Sequence, residues 1–368
     1  MPSQPASSQP APSRPALHDL ACVVHLHSTY SDGTGTVPEI AAAGRAAGVD
    51  VVLLTDHDTL EARRRGEEGW YGSTLVLVGE EVSPPNENHF LAFGVETEID
   101  RFLPPAEICA AVTNAGGFGF AAHPFSSGSE RFRRGSGGMP WRALDHEGLD
   151  GIELWSFVTD TAERLGGIRD AARFVARPGR VVDHPPERNV AEWDRLCATR
   201  RVVAIGGLDA HQFGWRVAGR VPLKLMSYSR SFRYLRTHVL VERPLTGELD
   251  DDRGQIHEAL RDGRCYLAMD SLGSAREFSF WGERDGEVVQ MGGEERFGGA
   301  GGGAWALHAR TPRPAELRLV RDGQPVERTT GPALDARADA PGVYRIEARV
   351  RASGRERTWV LSNPIYLR

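Results

Sequence analysis

The stretch Val51-Val52-Leu53-Leu54-Thr55-Asp56-His57-Asp58 is an apolar run that stops abruptly at three consecutive ionisable residues. Such a run of β-branched and leucine side chains is typical of a strand that is buried on both faces. Desolvated charges at the end of a buried strand are costly unless they are paired or bound to a metal ion. The stretch therefore predicts a buried strand that ends in a functional site, with His57 as a ligand.

The flanking sequence repeats this pattern of short apolar runs alternating with helix-like segments, which predicts an α/β fold built from βα units. The predicted strands are Cys22–Leu26, Val51–Thr55, Leu75–Val78, Phe90–Phe93, Phe118–Ala122, Gly151–Trp155 and Val202–Ile205. The predicted helices are Val37–Gly48, Pro105–Ala115, Thr161–Ala176, Ala191–Thr199 and Gln255–Arg261.

Composition divides the chain into three parts. Residues 1–17 are rich in Ser, Pro and Ala, so we expect residues 1–20 to form a disordered tail ahead of a domain that spans residues 21–275. Residues 276–368 contain alternating segments, such as Glu316–Val320, Tyr344–Val350 and Trp359–Leu361, which predict a small antiparallel β domain. Gly292–Gly303 is glycine-rich and is expected to be a flexible hairpin loop.

Side chains of the metal-ligand type stand at the ends of the predicted strands. His25 and His27 flank Leu26, so strand alternation would point both imidazoles to the same side, and Asp32 follows in a turn. The remaining candidates at strand ends are His57, one of Glu80 and Glu81, His89, His123, Asp209 and His211. We expect Asp56 and Asp58 to orient imidazoles or to cap the next helix.

These nine candidates include six of the twelve histidines of the chain. A single histidine is more often a core or surface residue than a ligand, but six at strand ends are unlikely to coincide by chance. One first-row transition-metal ion uses about four to six ligands. We therefore expect two or three divalent transition-metal ions, such as Zn, Mn or Fe.

Composition also limits the partners. A net charge of −6 with interspersed signs gives no footprint for a nucleic acid or an anionic membrane. The four cysteines share no metal-ligand spacing, and we expect them to be reduced in a cytoplasmic protein. The expected partner is a small, phosphorylated substrate, and a homo-oligomer is compatible with the sequence.

Five motifs, taken in order, resemble those of the PHP (polymerase and histidinol phosphatase) superfamily over about residues 21–270. They are His25–Gly33, Thr55–Asp58, Gly79–Ser83, Ala122–Pro124 and Asp209–His211. Four further segments look like the carbaryl-hydrolase-like (CehA/McbA) branch: Gly33–Thr36, Trp193–Leu196, Glu258–Arg264 and Ser362–Tyr366.

The resemblance implies a distorted seven-stranded (β/α) barrel with metals at the carboxyl ends of the strands. It selects Glu81 over Glu80, because the motif is Gly-x-Glu-x-Ser. It further implies three ligand groups: His25, His27, Glu81 and Asp209 for the first metal, Asp32, His57 and His211 for the second, and Glu81, His89 and His123 for the third. Two positions depart from the pattern: Leu208 stands where relatives commonly have Ser, and Asp32 replaces a histidine of the histidinol-phosphatase-like members.

We expect a metal-dependent phosphoesterase that hydrolyses a small phosphate mono- or diester with a metal-activated hydroxide. His211, Asp209 or His184 could shuttle the proton to the leaving group. The loop with Arg131, Arg133 and Arg134 is expected to contact phosphate. Glu153 is expected to face substrate or to support a ligand, and a structural salt bridge is equally compatible with its position.

Two alternatives of other classes remain open. The narrower resemblance suggests an amide- or carbamate-ester hydrolase. A noncatalytic metal- or carbohydrate-binding protein is the third possibility, with the C-terminal β domain as its binding part. It is the least favoured of the three, because every ligand position of the family pattern is filled.

Overall fold

The computed structural model describes residues 15–126, 128, 140–178, 181–214, 224, 226–298 and 303–368. Its strands are β1 His18–Val24, β2 Val51–His57, β3 Gly69–Tyr71, β4 Thr74–Val82, β5 Phe90–Phe93, β6 Phe118–Ala121, β7 Gly151–Ser156, β8 Val203–Gly207, β9 Leu235–Val241, β10 Cys265–Met269, β11 Ser279–Arg284, β12 Glu287–Gln290, β13 Glu294–Glu295, β14 Trp305–Arg321, β15 Gln324–Ala338, β16 Gly342–Ala352, β17 Arg355–Ser362 and β18 Ile365–Leu367. Its α-helices are α1 Val37–Ala47, α2 Glu61–Arg64, α3 Pro105–Asn114, α4 Thr159–Arg164, α5 Ile168–Ala176, α6 Glu187–Cys197, α7 Tyr228–Ser231 and α8 Leu249–Arg261.

Seven strands pair in the order β1-β2-β4-β5-β6-β7-β8. The pairs β1–β2, β2–β4, β6–β7 and β7–β8 are parallel, whereas β5 is antiparallel to both of its neighbours. A parallel bridge between Leu26 and Ala210 joins the segments that follow β1 and β8, and so closes the sheet. The predicted α/β class is confirmed, although β5 breaks the expected succession of parallel βα units.

This topology brings the ends of several strands to one edge of the sheet. The parallel strands β1, β2, β4 and β8 all end there, and the antiparallel β5 begins there. His89, which precedes β5, therefore lies at the same edge as the residues that follow the other strands. Strand alternation places Leu75 and Leu77 on the same face of β4 as Glu81, and both belong to a cluster of buried apolar side chains that also includes Leu53 and Ile205.

Local sequence explains two helix boundaries. The backbone N–H of Thr36 donates a 2.9 Å hydrogen bond to Glu39 and begins α1, while Gly48 ends it in the left-handed conformation, with φ of 69°. The helix predicted at Thr161–Ala176 is instead two helices, α4 and α5. They are separated by Gly166 and Gly167, which favour an extended backbone over a helix.

The strands β11–β18 form a second apolar core, which includes Trp305, Leu317 and Ile346. Most of their pairings are antiparallel, as predicted, except that β13 is parallel to β18. Because β10 pairs with both β9 and β17, these strands are hydrogen-bonded to the sheet that carries β1.

Asn363 adds a side-chain link between the two parts. It accepts a hydrogen bond from the backbone N–H of Ala204 at 2.8 Å and donates to the carbonyls of Ala204 and Cys265 at 2.9 Å. A residue that follows β17 therefore supports β8 directly.

Two expectations about irregular segments need correction. Residues 18–20 are not part of a tail, because β1 begins at His18 and pairs with β9. Residues 1–14 lie outside the described part of the chain. The stretch Gly292–Gly303 is not wholly a loop, since Glu294–Glu295 form β13; its residues 299–302 lie outside the described part.

Two other findings concern the helices and the cysteines. Within the described residues, no helix combines the length and the apolar character needed to cross a membrane. All four cysteines are buried, and the structure pairs none of them in a disulfide.

Candidate metal centre

Glu81 lies at the centre of a cluster of imidazoles. It is near the end of β4, and its side chain is 1% exposed. The imidazoles within 3.5 Å of its two carboxylate oxygens are those of His25, His27, His57, His89 and His123. Glu80, the next residue, points away and accepts a 2.7 Å hydrogen bond from the backbone of Ile99. This geometry agrees with the assignment of Glu81 rather than Glu80 as the ligand.

The first expected ligand group converges on one point. His25 Nε2 is 3.2 Å from Glu81 Oε1 and 3.6 Å from Asp209 Oδ1. His27 Nε2 is 3.1 Å from Glu81 Oε2 and 3.5 Å from the same Asp209 oxygen. Two ligands of a tetrahedral metal at bond lengths of about 2.1 Å are about 3.4 Å apart. The spacing of these four side chains is therefore compatible with one metal site.

The second expected group surrounds Asp32. Its Oδ1 atom is 3.1 Å from His211 Nε2, 3.8 Å from His57 Nε2 and 3.9 Å from His27 Nδ1. These four residues form one set of potential ligands. The Asp32 side chain is 59% exposed, whereas His27 is fully buried. This group is therefore the open side of the cluster.

The third expected group also uses Glu81. His89 Nδ1 is 2.8 Å from Glu81 Oε1, and His123 Nε2 is 3.5 Å from the same oxygen. His57 is a further potential ligand beside Glu81 and His89. Since Glu81 belongs to the first and third groups, its carboxylate is placed to bridge two ions.

Several buried atoms of the cluster have no hydrogen-bond partner among the described residues. They are His25 Nε2, both ring nitrogens of His27, and Glu81 Oε2. Leaving buried polar atoms unsatisfied costs about 1–3 kcal/mol each, so natural folds avoid it unless another ligand is bound. Imidazole and carboxylate ligands together suit Zn, Mn and Fe. The donor set therefore fits divalent transition-metal ions.

The charges of the cluster are mutually dependent. Burial alone would raise the pKa of Glu81, but His25 and His89 outweigh it and hold the pKa well below its ordinary value. Burial lowers the pKa of His27, yet the neighbouring carboxylates of Asp209 and Glu81 outweigh it and raise that pKa to about 9. Carboxylates buried among imidazoles thus attract positive charge, which divalent ions can supply in place of protons.

His57 and Asp32 differ from these residues. Burial is the main reason why the pKa of His57 is lowered to about 4, so this imidazole is neutral near pH 7, as a metal ligand must be. The pKa of Asp32 is lowered to about 2, because His211 outweighs the effect of burial. Asp32 is therefore ionised over the whole neutral range.

Three partners that orient imidazoles or carboxylates were not predicted. Ser83 Oγ is 2.7 Å from His57 Nδ1, and Asn88 Oδ1 is 2.9 Å from His123 Nδ1. Thr159 Oγ1 donates a hydrogen bond to Asp209 Oδ2. Partners of this kind fix the ring orientation of metal ligands. Ser83 is the last residue of the Gly-x-Glu-x-Ser motif, so its position was a usable signal, whereas nothing in the sequence marks Thr159.

The predicted reason for the convergence of His25 and His27 is wrong in one respect. β1 ends at Val24, and His25 has φ of 62°, so the two rings do not share a face through strand alternation. His123 and Asp209 also have positive φ, at 32° and 50°. His25, His123 and Asp209 are thus presented by sharp turns after the strands, a conformation that costs non-glycine residues about 1–3 kcal/mol each.

Asp56 and Asp58 act differently from the expectation, because neither is hydrogen-bonded to an imidazole or caps α2. Asp56 accepts hydrogen bonds from Ser28 and Ser31 at 2.6–2.7 Å and so holds the turn that precedes Asp32. Asp58 accepts a 2.7 Å hydrogen bond from the backbone N–H of Ser83 and forms an ion pair with Arg101 at 2.5 Å. Arg101 is a half-exposed cation that sequence reasoning missed.

The other predicted site residues fall into three cases. His184 is 49% exposed and pairs with Asp183 at 2.6 Å; none of its described contacts is to the cluster. Glu153 was expected to face substrate, to support a ligand or to form a salt bridge; it is fully buried behind His25, which fits the support of a ligand and leaves no exposed surface for substrate. Arg131, Arg133 and Arg134 lie outside the described residues.

The fold and the cluster define the chain as an α/β protein with side chains arranged to hold divalent metal ions. No family model matches the sequence. An uncharacterized protein of Methanocaldococcus jannaschii is 25% identical over 118 residues, which cover 28% of this chain and 67% of that protein.

Two solved structures are also similar to this chain. One is a two-domain protein of Bacteroides vulgatus that contains a predicted PHP-like metal-dependent phosphoesterase. Its sequence is 16% identical, the alignment covers 98% of this chain and 100% of that chain, and the TM-score is 0.43. The other is a candidate metal-dependent phosphoesterase of Bifidobacterium adolescentis, with 19% identity, 56% and 92% coverage, and a TM-score of 0.31. At these values the similarity does not decide the reaction.

Proposed function

We propose that this protein is a metal-dependent phosphoesterase of the PHP type, which hydrolyses a small phosphate mono- or diester with two or three divalent ions. One observation carries the proposal: the carboxylate of Glu81 contacts five imidazoles, while Asp209 and Asp32 complete ligand groups on two sides of it. Adjacent groups share Glu81 or His27, which suits ions about 3.5–4 Å apart.

Bound divalent ions would supply the charge that activates water and polarises a phosphoryl oxygen. The protein's own residues hold this arrangement. Ser83 and Asn88 fix imidazoles, and Thr159 fixes Asp209. A phosphoryl group has two nonbridging oxygens that can span neighbouring ions, whereas a carbamate presents only one carbonyl oxygen, so the shared ligands favour a phosphoester.

Arg101 supports an anionic substrate. Asp58 follows the ligand His57 directly, and Arg101 pairs with Asp58 through Nη1. Its side chain is 42% exposed. A partly exposed guanidinium beside Asp58 can add charge-assisted hydrogen bonds to a phosphate, from which a neutral carbamate would gain little.

The second candidate, an amide- or carbamate-ester hydrolase, is favoured by Phe213. Its ring is parallel to that of His211, with centroids 5.8 Å apart, and the residue is 49% exposed. An apolar surface beside a ligand suits an aryl leaving group. This feature is compatible with an aryl phosphate as well, so it does not outweigh the argument from the shared ligands.

A comparison of catalytic efficiencies tests the proposal. Protein loaded with Mn, Fe or Zn would be assayed with an aryl phosphate, an aryl phosphodiester and an aryl carbamate that share one leaving group. We expect kcat/KM to be highest for a phosphoester, and Arg101→Ala to lower it about tenfold, or about 1.4 kcal/mol in the barrier. Arg243→Ala, which removes an exposed arginine paired with Asp251, is the control. A tenfold preference for the carbamate would refute the phosphoesterase assignment.

A further inference from the structure

Glu153 on β7 is a fully buried carboxylate that contacts two of the candidate ligands. Its Oε1 atom is 3.0 Å from Nδ1 of His25. Its Oε2 atom accepts a 2.8 Å hydrogen bond from the backbone N–H of His123. The two partners belong to different expected groups, because His25 is in the first and His123 is in the third. Glu153 thus joins these groups from behind, on the side away from Glu81.

The neighbouring strand leaves room for this carboxylate. A Cβ atom at Gly207 on β8 would lie 1.9 Å from Glu153 Oε1 and 3.0 Å from the Cβ atom of His25. Real Cβ contacts are never this short, so any other residue at position 207 would displace Glu153 or His25. Gly207 is therefore required by the position of the carboxylate.

The two partners of Glu153 are also in an unfavourable backbone conformation. His25 has φ of 62° and His123 has φ of 32°. Left-handed backbone in a non-glycine residue persists only where surrounding contacts hold it. The hydrogen bonds to Glu153 are such contacts, one to the ring of His25 and one to the backbone of His123.

We propose that Glu153 is a positioning residue that sets the tautomer of His25 and the backbone position of His123, and so couples the first and third metal groups. By accepting the Nδ1–H proton of His25, the carboxylate leaves Nε2 unprotonated and directed at Glu81 and Asp209. The inference rests on the proposed metal centre, but not on the identity of the substrate.

A direct ligand role for Glu153 is the competing assignment, since His25, His123 and Glu153 lie close enough to form a potential site of their own. The hydrogen bonds argue against it. Both oxygens of Glu153 are engaged with N–H donors, and the ring nitrogen of His25 that faces Glu81 is Nε2, not the Nδ1 that faces Glu153. An ion coordinated by Glu153 would lie on the Nδ1 side of His25, away from Glu81 and Asp209.

Glu153→Gln tests the role, because glutamine keeps the shape but changes the hydrogen bonding. Both partners donate a proton, and an amide offers only one acceptor oxygen and one NH₂ group. If the oxygen faces His25, the NH₂ group meets the N–H of His123. If the oxygen faces His123, the NH₂ group favours the His25 tautomer with the proton on Nε2, which cannot bind a metal.

Glu80→Gln is the matched control. Glu80 is equally buried and also accepts a backbone hydrogen bond, but none of its described contacts is to a ligand. Zinc alone would be titrated into the metal-free full chain and followed by calorimetry. We expect Glu153→Gln to weaken the binding of at least one zinc equivalent about 10- to 100-fold, and Glu80→Gln to leave it unchanged. Identical titrations for both variants would overturn the proposal.

A second measurement does not depend on the variant folding. In the zinc-loaded wild-type protein, long-range ¹H–¹⁵N spectra report which nitrogen of each histidine carries a proton. The proposal requires the proton of His25 on Nδ1, and a proton on Nε2 would refute it. Loss of a zinc equivalent with His25 Nδ1 unprotonated would indicate a direct ligand instead. Absence of phosphoesterase activity in a protein that passes both tests would count against the proposed function and not against this role.

Discussion

Glu80 and Glu81 are adjacent in sequence, yet they occupy opposite environments. Glu81 contacts five imidazoles, whereas Glu80 is directed away from them. We expect Glu81→Gln to remove at least one equivalent of bound metal and most of the activity, because the amide cannot bridge two ions. Glu80→Gln should retain both the bound metal and the activity. Metal analysis of the two purified variants measures the difference, and equal losses would show that the bridging ligand has been misassigned.

Glu80 also predicts a dependence of stability on pH. Burial is the main reason why its pKa is raised to about 8, from an ordinary value of 4.5. The folded state therefore binds a proton more tightly than the unfolded state, and Glu80 removes stability as the pH rises from about 4.5 to about 8.

Replacing Glu80 should remove this dependence. In the presence of a chelator, the free energy of unfolding of Glu80→Gln should fall less between pH 5 and pH 8 than that of the wild-type protein. Urea unfolding at several pH values measures both curves. Parallel curves would mean that Glu80 is ionised in the folded protein at neutral pH.

The candidate ligands could be identified from sequence because most of them lie at or beside an end of an apolar strand. The residues that orient these ligands could not be identified from the sequence. Ser83 is close to His57 in space but 26 positions away in the chain, and Asn88 is 35 positions from His123. Such contacts depend on how the strands are ordered, which a single sequence does not encode locally. The alternatives for Glu153 stayed open for the same reason, since it meets His25 only across the sheet.

Among the secondary-structure elements, the strands with uninterrupted apolar runs were predicted and β9 and β10 were missed. β9 has the sequence Leu-Arg-Thr-His-Val-Leu-Val, in which Arg236 and His238 disguise a strand that is buried along its whole length. His238 is held between Asp19 and Asp270, and Arg236 also pairs with Asp270. Burial of these charges is possible only because their partners come from other elements, and the apolar pattern does not reveal that.

Asn363 predicts how strongly β8 depends on the residues after β17. Asn363→Ala would leave the backbone N–H and carbonyl of Ala204 and the carbonyl of Cys265 without this partner. Each buried unsatisfied group costs about 1–3 kcal/mol, so we expect a loss of about 3 kcal/mol or more in the free energy of unfolding. Asn114→Ala, at an exposed position of α3, should change it by less than about 0.5 kcal/mol. Equal midpoints in urea for the two variants would contradict the prediction.

For the molecule as a whole, the ligand count predicts the metal content. We expect two to three equivalents of transition metal in the reconstituted protein. The reason is that Glu81 links the first and third ligand groups, and His27 links the first and second. Removing the metal should lower the melting temperature, since ions that bind the folded state stabilise it by mass action. Metal analysis and thermal unfolding with and without a chelator measure both effects. Less than one equivalent after reconstitution would refute the multinuclear centre.

The hydrogen bonds between Asn363 and Ala204 also constrain the order in which the chain can fold. They join residues that are 159 positions apart, and the residue of β8 that they hold lies shortly before Asp209. Contacts of such large sequence separation form late, because the intervening chain must first be ordered. During synthesis, the ribosome must therefore release residues up to Asn363 before the turn bearing Asp209 acquires its lasting support. We therefore expect the first ligand group to reach its final geometry only after these hydrogen bonds have formed.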